Sequence, residues 1–481
     1  MKTKQITFRL LALLIIFVSI SISPRASQAQ SVNIVTYEVN TFEDLFDPAP
    51  NGICAGWVGP EPDHFGPCSL RAAITEAGYT HADTPEFVHI QVPPGVYKLT
   101  LTETPFDPPP SDGSDDKHYG DLDLPAVAPG KIPNEVLIEG TGGPDNPSVI
   151  DANFIDRVLE LGQGRILTLR NLVIKNGLIN ADNDEAATGG GILVKSESML
   201  RLNNVRLTNN TVRCMENTAC NYSWGGAVNS ENANLNLFDV ELDRNSAFSG
   251  SAIYFWDGSP DANKYEFLIE RTAIHHNSGD YSTIAGNGSL FITNSTMVAN
   301  ESHGIHFDVG NIDMGGPVWI QNSTVISSHP LANVIVNNKS LYIRNSILLN
   351  TPGTSSSNYR NCIVDAPFTA ESKGGNIFSE NSCNPNTALH DLVLTYAETK
   401  LGALADYGGF TPTIALVEGS PAVNRLPEKC IVTTFVIGPP MDVDLVTDQR
   451  GSPRDDGQCD TGAFEGSIRP MFLYLPIITK K

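Results

Sequence analysis

Seven short segments decide the fold: Leu169-Arg-Asn171-Leu-Val-Ile174, Leu202-Asn-Asn204-Val-Arg-Leu207, Leu237-Phe-Asp239-Val-Glu-Leu242, Ile269-Glu-Arg271-Thr-Ala-Ile274, Ile292-Thr-Asn294-Ser-Thr-Met297, Ile320-Gln-Asn322-Ser-Thr-Val325 and Ile343-Arg-Asn345-Ser-Ile-Leu348. Their third positions are 33, 35, 32, 23, 28 and 23 residues apart. Six residues past each stands a turn-type residue: Gly177, Asn210, Asn245, Asn277, Asn300, Ser328 and Thr351. Second strands precede several of them, as in Gly189-Gly-Gly-Ile-Leu-Val194, Gly225-Gly-Ala-Val228 and Gly250-Ser-Ala-Ile-Tyr-Phe255. Helical solenoids need amphipathic runs of ten or more residues between turns. These runs are shorter, β-branched and closed by Asn or Gly, which fits one rung of a parallel β-helix.

Working outward, the repeated third-position Asn is expected to bond to its equivalents one rung above and below and to satisfy turn backbone. Variable spacing means that loops of different size leave a constant core. A rod of rungs about 4.8 Å apart exposes pairing edges at both ends, so each end needs a cover. At the front, Ser69 to Ala77 reads as a short amphipathic helix, with Ser69 as N-cap and Leu70, Ala73, Ile74 and Ala77 on one face. At the back, Gly402 to Glu465 lacks the rung pattern and is expected as a separate, irregular, disulfide-closed segment.

The first residues read as an address. Lys2, Lys4 and Arg9 precede an apolar run from Leu10 to Ile20, and Ser27-Gln28-Ala29 suits signal peptidase, so residues 1–29 are expected to be removed. That run is too short for a membrane span. Removal would take the formal charge from -23 to about -27 by side-chain count. Such a field repels nucleic acid and anionic lipid, so neither is expected as a partner. The eight cysteines fall into sequence-near pairs, Cys54 with Cys68, Cys214 with Cys220, Cys362 with Cys383 and Cys430 with Cys459, which suits an exported rod whose distant segments never meet. Eight cysteines allow about 105 connectivities, so these pairs rest on proximity.

Cys68-Ser-Leu-Arg-Ala-Ala-Ile74 resembles the signature of the CSLREA domain family, with Ala72 standing where that family has Glu. Gly120-Asp-Leu-Asp-Leu124, Ile138-Glu-Gly-Thr-Gly142, Ile150-Asp-Ala152 and Asp156-Arg-Val158 follow in the order such proteins show. The Gly-Gly-Ala and Gly-Gly-Ile elements resemble repeats of polymorphic outer-membrane proteins. Gly419-Ser-Pro-Ala-Val423, Asp448-Gln-Arg-Gly451, Arg454 and Asp460-Thr-Gly-Ala-Phe-Glu465 resemble a choice-of-anchor Q domain. The resemblance covers most of residues 65–465 and implies an exported bacterial right-handed parallel β-helix, all-β, usually without an assigned activity. The expected layout is a cap with first rungs over 30–160, repeats over 161–401, the anchor-like segment over 402–466 and a short apolar, basic tail over 467–481. The tail reads equally as a sorting signal or as a last strand on the rod. Sixteen residues follow Glu465, too few for a pore-forming barrel, so none is expected.

For chemistry, a polysaccharide lyase needs an Arg or Lys base and a carboxylate-neutralising group, often Ca2+. A glycoside hydrolase needs two carboxyls about 5–10 Å apart. Asp239, Glu241 and Asp243 alternate, so they are expected on one side of a strand, with Arg271 one rung away. These four are the catalytic candidates, although Asp239 also occupies the repeated turn position. Asp112, Asp115, Asp116, Asp121 and Asp123 are the Ca2+ candidates, at a spacing unlike an EF-hand loop, and no other cofactor is expected. His275, His276, His303 and His306 fall on neighbouring coils. Asp448, Arg450, Arg454 and Asp460 read as a buried ion-pair set that fixes long loops. Asn294 and Asn322 begin glycosylation sequons that the repeat already explains. Trp224, Tyr254, Trp256 and Trp319 are sized to stack on sugar rings. A patch holding Trp224 and Trp256 with flanking acids would favour an enzyme, and scattered aromatics a scaffold. The expected function is a non-catalytic exported β-helix, on the cell surface or released, that binds a glycan or cell-surface ligand in adhesion. The alternative is a lyase or hydrolase acting on an extracellular polysaccharide.

Overall fold

In a computed structural model, the described residues are 33–469 without 49, 60–65, 80–85, 103–118, 182–186, 215–222, 260–263, 303–311, 328–331, 338, 352–359 and 435–440. The signal-peptide stretch, the tail from Met471, Asp112, Asp115, Asp116, His303, His306 and the Cys214–Cys220 pairing therefore lie outside the described residues.

The chain winds into a parallel β-helix with three faces. The first face carries strands such as Asn33–Glu38, Glu86–Val92, Asn234–Phe238, Glu266–Glu270, Ser289–Thr293, Val318–Gln321 and Leu341–Arg344. The second carries Gly95–Lys98, Ser148–Asp151, Glu241–Asp243, Ala273–His275, Thr296–Val298, Thr324–Ser327 and Ile347–Asn350. Ile166–Lys175 and Met199–Thr208 run through both, which joins these faces into one 20-stranded sheet. The third face is a nine-stranded sheet from Leu122–Leu124 to Arg360–Val364. Alternation aims Leu200, Leu202, Leu207, Ile192 and Val194 inward, all fully buried in one continuous core. Each such side chain contributes about 1.5–3 kcal/mol.

The repeat's third residue makes the bend between first and second faces. Asn171, Asn204, Asp239, Arg271, Asn294, Asn322 and Asn345 all have φ between 46° and 57°. Asn and Asp tolerate this left-handed conformation because a short polar side chain bonds locally. Asn204 Nδ2 donates to Asn171 Oδ1 (2.9 Å) and Asn345 Nδ2 to Asn322 Oδ1 (2.8 Å), the stacking expected there. The unbroken ladder, however, stands six residues on. Asn210, Asn245, Asn277 and Asn300 are buried, and each amide donates to the next at 3.0, 3.0 and 3.1 Å. Each Oδ1 also accepts the preceding rung's backbone N–H, and each Nδ2 donates to a strand carbonyl, as Asn245 does to Leu207 at 3.0 Å. Backbones approach closely beside it: a Cβ on Gly177 would lie 1.8 Å from the Gly190 carbonyl oxygen.

The helix Leu70–Tyr79 closes the front, with Ser69 Oγ accepting Ala72 N–H (3.0 Å) and Leu70, Ala73, Ile74 and Ala77 entering the core. Arg71 is buried within it and binds Asp44 through two bonds (2.8 and 3.1 Å) and the carbonyls of Asp121 and Gly120. Disulfides join Cys54 to Cys68, Cys362 to Cys383 and Cys430 to Cys459, as proximity predicted.

The C-terminal segment corrects the expectation of a rear cover. Two antiparallel hairpins, Leu401–Ala405 with Thr413–Leu416 and Ile431–Thr434 with Met441–Asp444, fold back along the side of the rod. The bend asparagines hold it: Asn294 Nδ2 donates to Thr447 O (2.7 Å), Asn322 Nδ2 to Ile431 O (3.0 Å) and Asn345 Nδ2 to Asp460 O (2.8 Å). Asn294 and Asn322 are 0% exposed, which rules out their sequons in the folded chain. The buried ion-pair set is also rearranged. Arg450 pairs with Asp448 (2.6 Å), but Arg454 pairs with Glu465 (2.7 Å), and Asp460 accepts the N–H groups of Asn424 and Gly466 instead. Sequence reading missed Glu465 as the partner because the two residues meet only once the segment has folded back.

Burial pushes the Glu465 carboxyl up from its ordinary 4.5 to about 7, against the pull of Arg454. A folded value above the unfolded one means that the native chain holds the extra proton. Glu465 therefore contributes stability below pH 4.5 that is lost as pH rises to about 7. Denaturation of wild type and Glu465→Gln across pH 4–8 is expected to show this component only in wild type.

Candidate functional site

The catalytic candidates divide into two pairings. Asp239 is no strand residue: it sits in the left-handed bend (φ 57°) and is gripped by Arg271 through Nε and Nη2, both at 2.8 Å. This corrects the reading of three alternating acids on one strand. Glu241 and Asp243 do share the outer side of their strand, and Arg206 lies 3.6 Å from Glu241 and bonds both oxygens of Asp243 at 2.8 Å. Asp243 is 0% exposed, with Arg244 as a further partner.

The electrostatics are those of locked ion pairs. Burial pushes Asp243 up, but the hydrogen bonds and charge of Arg206 outweigh it and hold the carboxyl below its ordinary range. Asp239 raises Arg271, and Asp243 raises Arg206, above the usual guanidinium value. A lyase base needs the opposite shift. Bidentate pairing also takes the oxygen positions that a nucleophile or general acid would present to a sugar.

Of the Ca2+ candidates, Asp121 and Asp123 meet Glu160, with carboxylate oxygens all within 4.8 Å of one another. One divalent cation could be shared at that separation. Arg157 already enters the group, bonding Glu160 and lying 3.4 Å from Asp121, so positive charge is supplied by the chain itself. The sequence held the signal for Glu160: Leu122-Asp-Leu124 and Leu159-Glu-Leu161 are the same motif and pair in register.

The third face carries the aromatic patch. Tyr254 and Trp256 share the outer side of Ile253–Trp256, and Trp224 stacks on Tyr254 with centroids 5.1 Å apart and planes at 11°. Trp256 is 44% exposed. Its register neighbour Glu231 accepts from Asn229 (2.9 Å) and is the acid beside it among the described residues. Cross-rung register places Asp123, Glu160, Leu193, Asn229 and Tyr254 in one outward column. Trp319 lies elsewhere, in a column of the first face with Leu268, Phe291 and Tyr342. It stacks on Tyr342 at 4.2 Å, so those ring faces are spent on each other. Beside that column, Phe238, Leu268, Phe291, Glu270 and the hairpin residues Val432 and Thr433 line a groove of about 170 Å³.

No family model and no curated protein matches the chain. Among solved structures it is similar to the crystal structure of pectate lyase Pel9A, at 13% identity and a TM-score of 0.37, over 90% of this chain and 97% of that one. A likeness of this size bears on neither the site nor the chemistry. The three disulfides among the described residues are the chemistry of an oxidising, extracellular type of compartment. Among the described residues no helix is long and apolar enough to cross a membrane.

Proposed function

We propose that this protein is an exported, non-catalytic β-helix that binds an extracellular glycan in adhesion or surface display, through the patch of Trp224, Tyr254 and Trp256. The observation that carries the reading is the exposed Trp256 beside a stacked Trp224–Tyr254 pair on a rigid strand. A flat, preorganised ring with one open face suits the C–H face of a sugar, and the strand keeps the entropic cost of binding low. The arginine clamps on Asp239 and Asp243 support binding without cleavage. The disulfides and the resemblance to exported β-helix proteins support the location.

One observation favours a second reading, an extracellular polysaccharide lyase. The Asp121, Asp123 and Glu160 carboxylates share the face of the aromatic patch. Affinity electrophoresis against acidic and neutral polysaccharides separates the two. Retardation by a glycan, weakened about fivefold or more by Trp256→Ala, is expected, since losing one anchoring aromatic costs about 1–3 kcal/mol. Retardation unchanged in Trp256→Ala would overturn the assignment of the patch.

A further inference from the structure

We propose that the cavity between the last rungs of the rod and the C-terminal segment binds one carboxylated sugar unit, a hexuronate of an anionic glycan, with its carboxylate on Arg344, Lys373 and Lys429. That the carboxylate arrives on a sugar rests on the glycan-binding reading above; the anion site rests on its own residues. The chain carries 54 acids against 31 bases. Yet three of the four Asp, Glu, Lys or Arg residues lining this cavity are basic, Glu428 being the fourth. A local reversal of sign in an acidic molecule draws an anion to one place. Arg344 ends the first-face strand Leu341–Arg344, and Lys373 stands on the next rung, where its N–H donates to Ile343 O (2.7 Å). Lys429 precedes the hairpin strand Ile431–Thr434.

The cations keep donors to spare. Arg344 Nη1 serves Asp442 (2.9 Å), Lys429 Nζ serves Asp444 (2.9 Å) and Lys373 serves Glu371. Those three carboxylates are about half exposed and stand outside the lining, and pairs in such wet positions hold weakly. A guanidinium has five N–H donors and an ammonium three. Arg344 Nε is buried with no acceptor among the described residues, and a buried donor left unmade is the costly case. A carboxylate seated beside Arg344 supplies that acceptor in a charge-assisted bond. The lining is also set before a ligand arrives. Leu426 and Cys459 exchange backbone hydrogen bonds (3.1 and 3.0 Å), and Cys459 is tied to Cys430. Arg425 donates twice to the carbonyl of His390, which lines the cavity (3.0 and 2.7 Å). Lys373 Nζ is held 5.1 Å over the Tyr342 ring. Fixed walls lower the entropic cost of binding. Leu389 and Leu426 offer apolar surface to the C–H face of a sugar. The volume is about 260 Å³. Pockets for drug-sized ligands run to about 300–1,000 Å³, so this one seats a single ring of a chain.

The test is calorimetric titration of the full chain with trigalacturonate, with neutral maltotriose and with acetate. One saturable trigalacturonate site per chain is expected, at least tenfold tighter than either comparison ligand. Lys373→Gln together with Lys429→Gln should weaken it about tenfold or more. Arg344→Lys should cost about tenfold as well, because lysine keeps the charge and loses the planar fork. Lys429 is exposed, so Lys429→Gln alone keeps the fold, which circular dichroism checks, and should still weaken binding about threefold. Trp256→Ala should bind trigalacturonate as wild type does, so failure of the third-face patch would leave this result standing. Equal binding of acetate or maltotriose, wild-type affinity in the double lysine variant, loss of the site in Trp256→Ala, or no saturable binding would each overturn the proposal.

Discussion

Replacing Asn245 by Ala is expected to destabilise the rod by roughly 3–5 kcal/mol: about 1–3 kcal/mol attends each buried polar group left unpaired, and of the four partners Asn210 Nδ2 and Asn277 Oδ1 keep another bond. Asn245 Oδ1 accepts both the backbone N–H and the side-chain amide of Asn210, and its Nδ2 serves Leu207 O and Asn277 Oδ1. Alanine reaches none of these, and the site is dry enough that water does not replace them. Asn209→Gly is the matched control, since glycine keeps the left-handed backbone (φ 56°) of that position. Asn209 donates to Asn176 Oδ1 at 2.8 Å in the neighbouring ladder, but it is exposed, so water takes over and the loss should stay within about 1 kcal/mol. Denaturant midpoints of the two variants measure the difference. Equal, small losses would mean that the buried ladder is dispensable.

The second large effect is expected at Arg454→Met. The guanidinium is 0% exposed and donates to Glu465, to the carbonyls of Asp460 and Gly462, and across to Asn294 Oδ1 on the rod. Removing it leaves Glu465 and the carbonyls it served without their donor in a buried site, a loss of about 3–5 kcal/mol. Since Arg454 joins segment to rod, the loss should fall on their junction and leave the rungs intact. Limited proteolysis should then release fragments from residues 402–469 while the rod resists. Adding Glu465→Leu should recover much of the loss by removing the unpaired buried carboxyl. Rods that unfold together with the segment would contradict this division.

The rungs were legible because a solenoid repeats its local rule: the same Leu-x-Asn-x-x-Leu spacing makes the same bend each time, and Ser69 to Ala77 carries its own N-cap and apolar stripe. Side-chain stacking was legible at the bend, where Asn204 meets Asn171 and Asn345 meets Asn322, but the unbroken ladder six residues on was not, since spacing alone does not tell a bend asparagine from a buried turn asparagine. The side-packed C-terminal segment was hidden for a different reason. Its bonds join Asn294 to Thr447 and Asn345 to Asp460, pairs so distant in sequence that no periodic signal links them. The candidate acids show the same limit. Asp239, Glu241 and Asp243 alternate in sequence, yet a left-handed residue between strands breaks the alternation, and Arg206 of the preceding repeat, in register with Glu241, clamps Asp243.

Binding without cleavage is tested by one incubation. The protein is mixed with a panel of acidic and neutral polysaccharides, with and without Ca2+, and followed for new reducing ends and for the ultraviolet absorbance of unsaturated uronates. The expected result is retention on at least one glycan with neither signal. Cleavage that depends on Ca2+ and is lost in Asp121→Asn or Glu160→Gln, or cleavage lost in Asp239→Asn or Arg271→Lys, would contradict it and mark the working face of an enzyme.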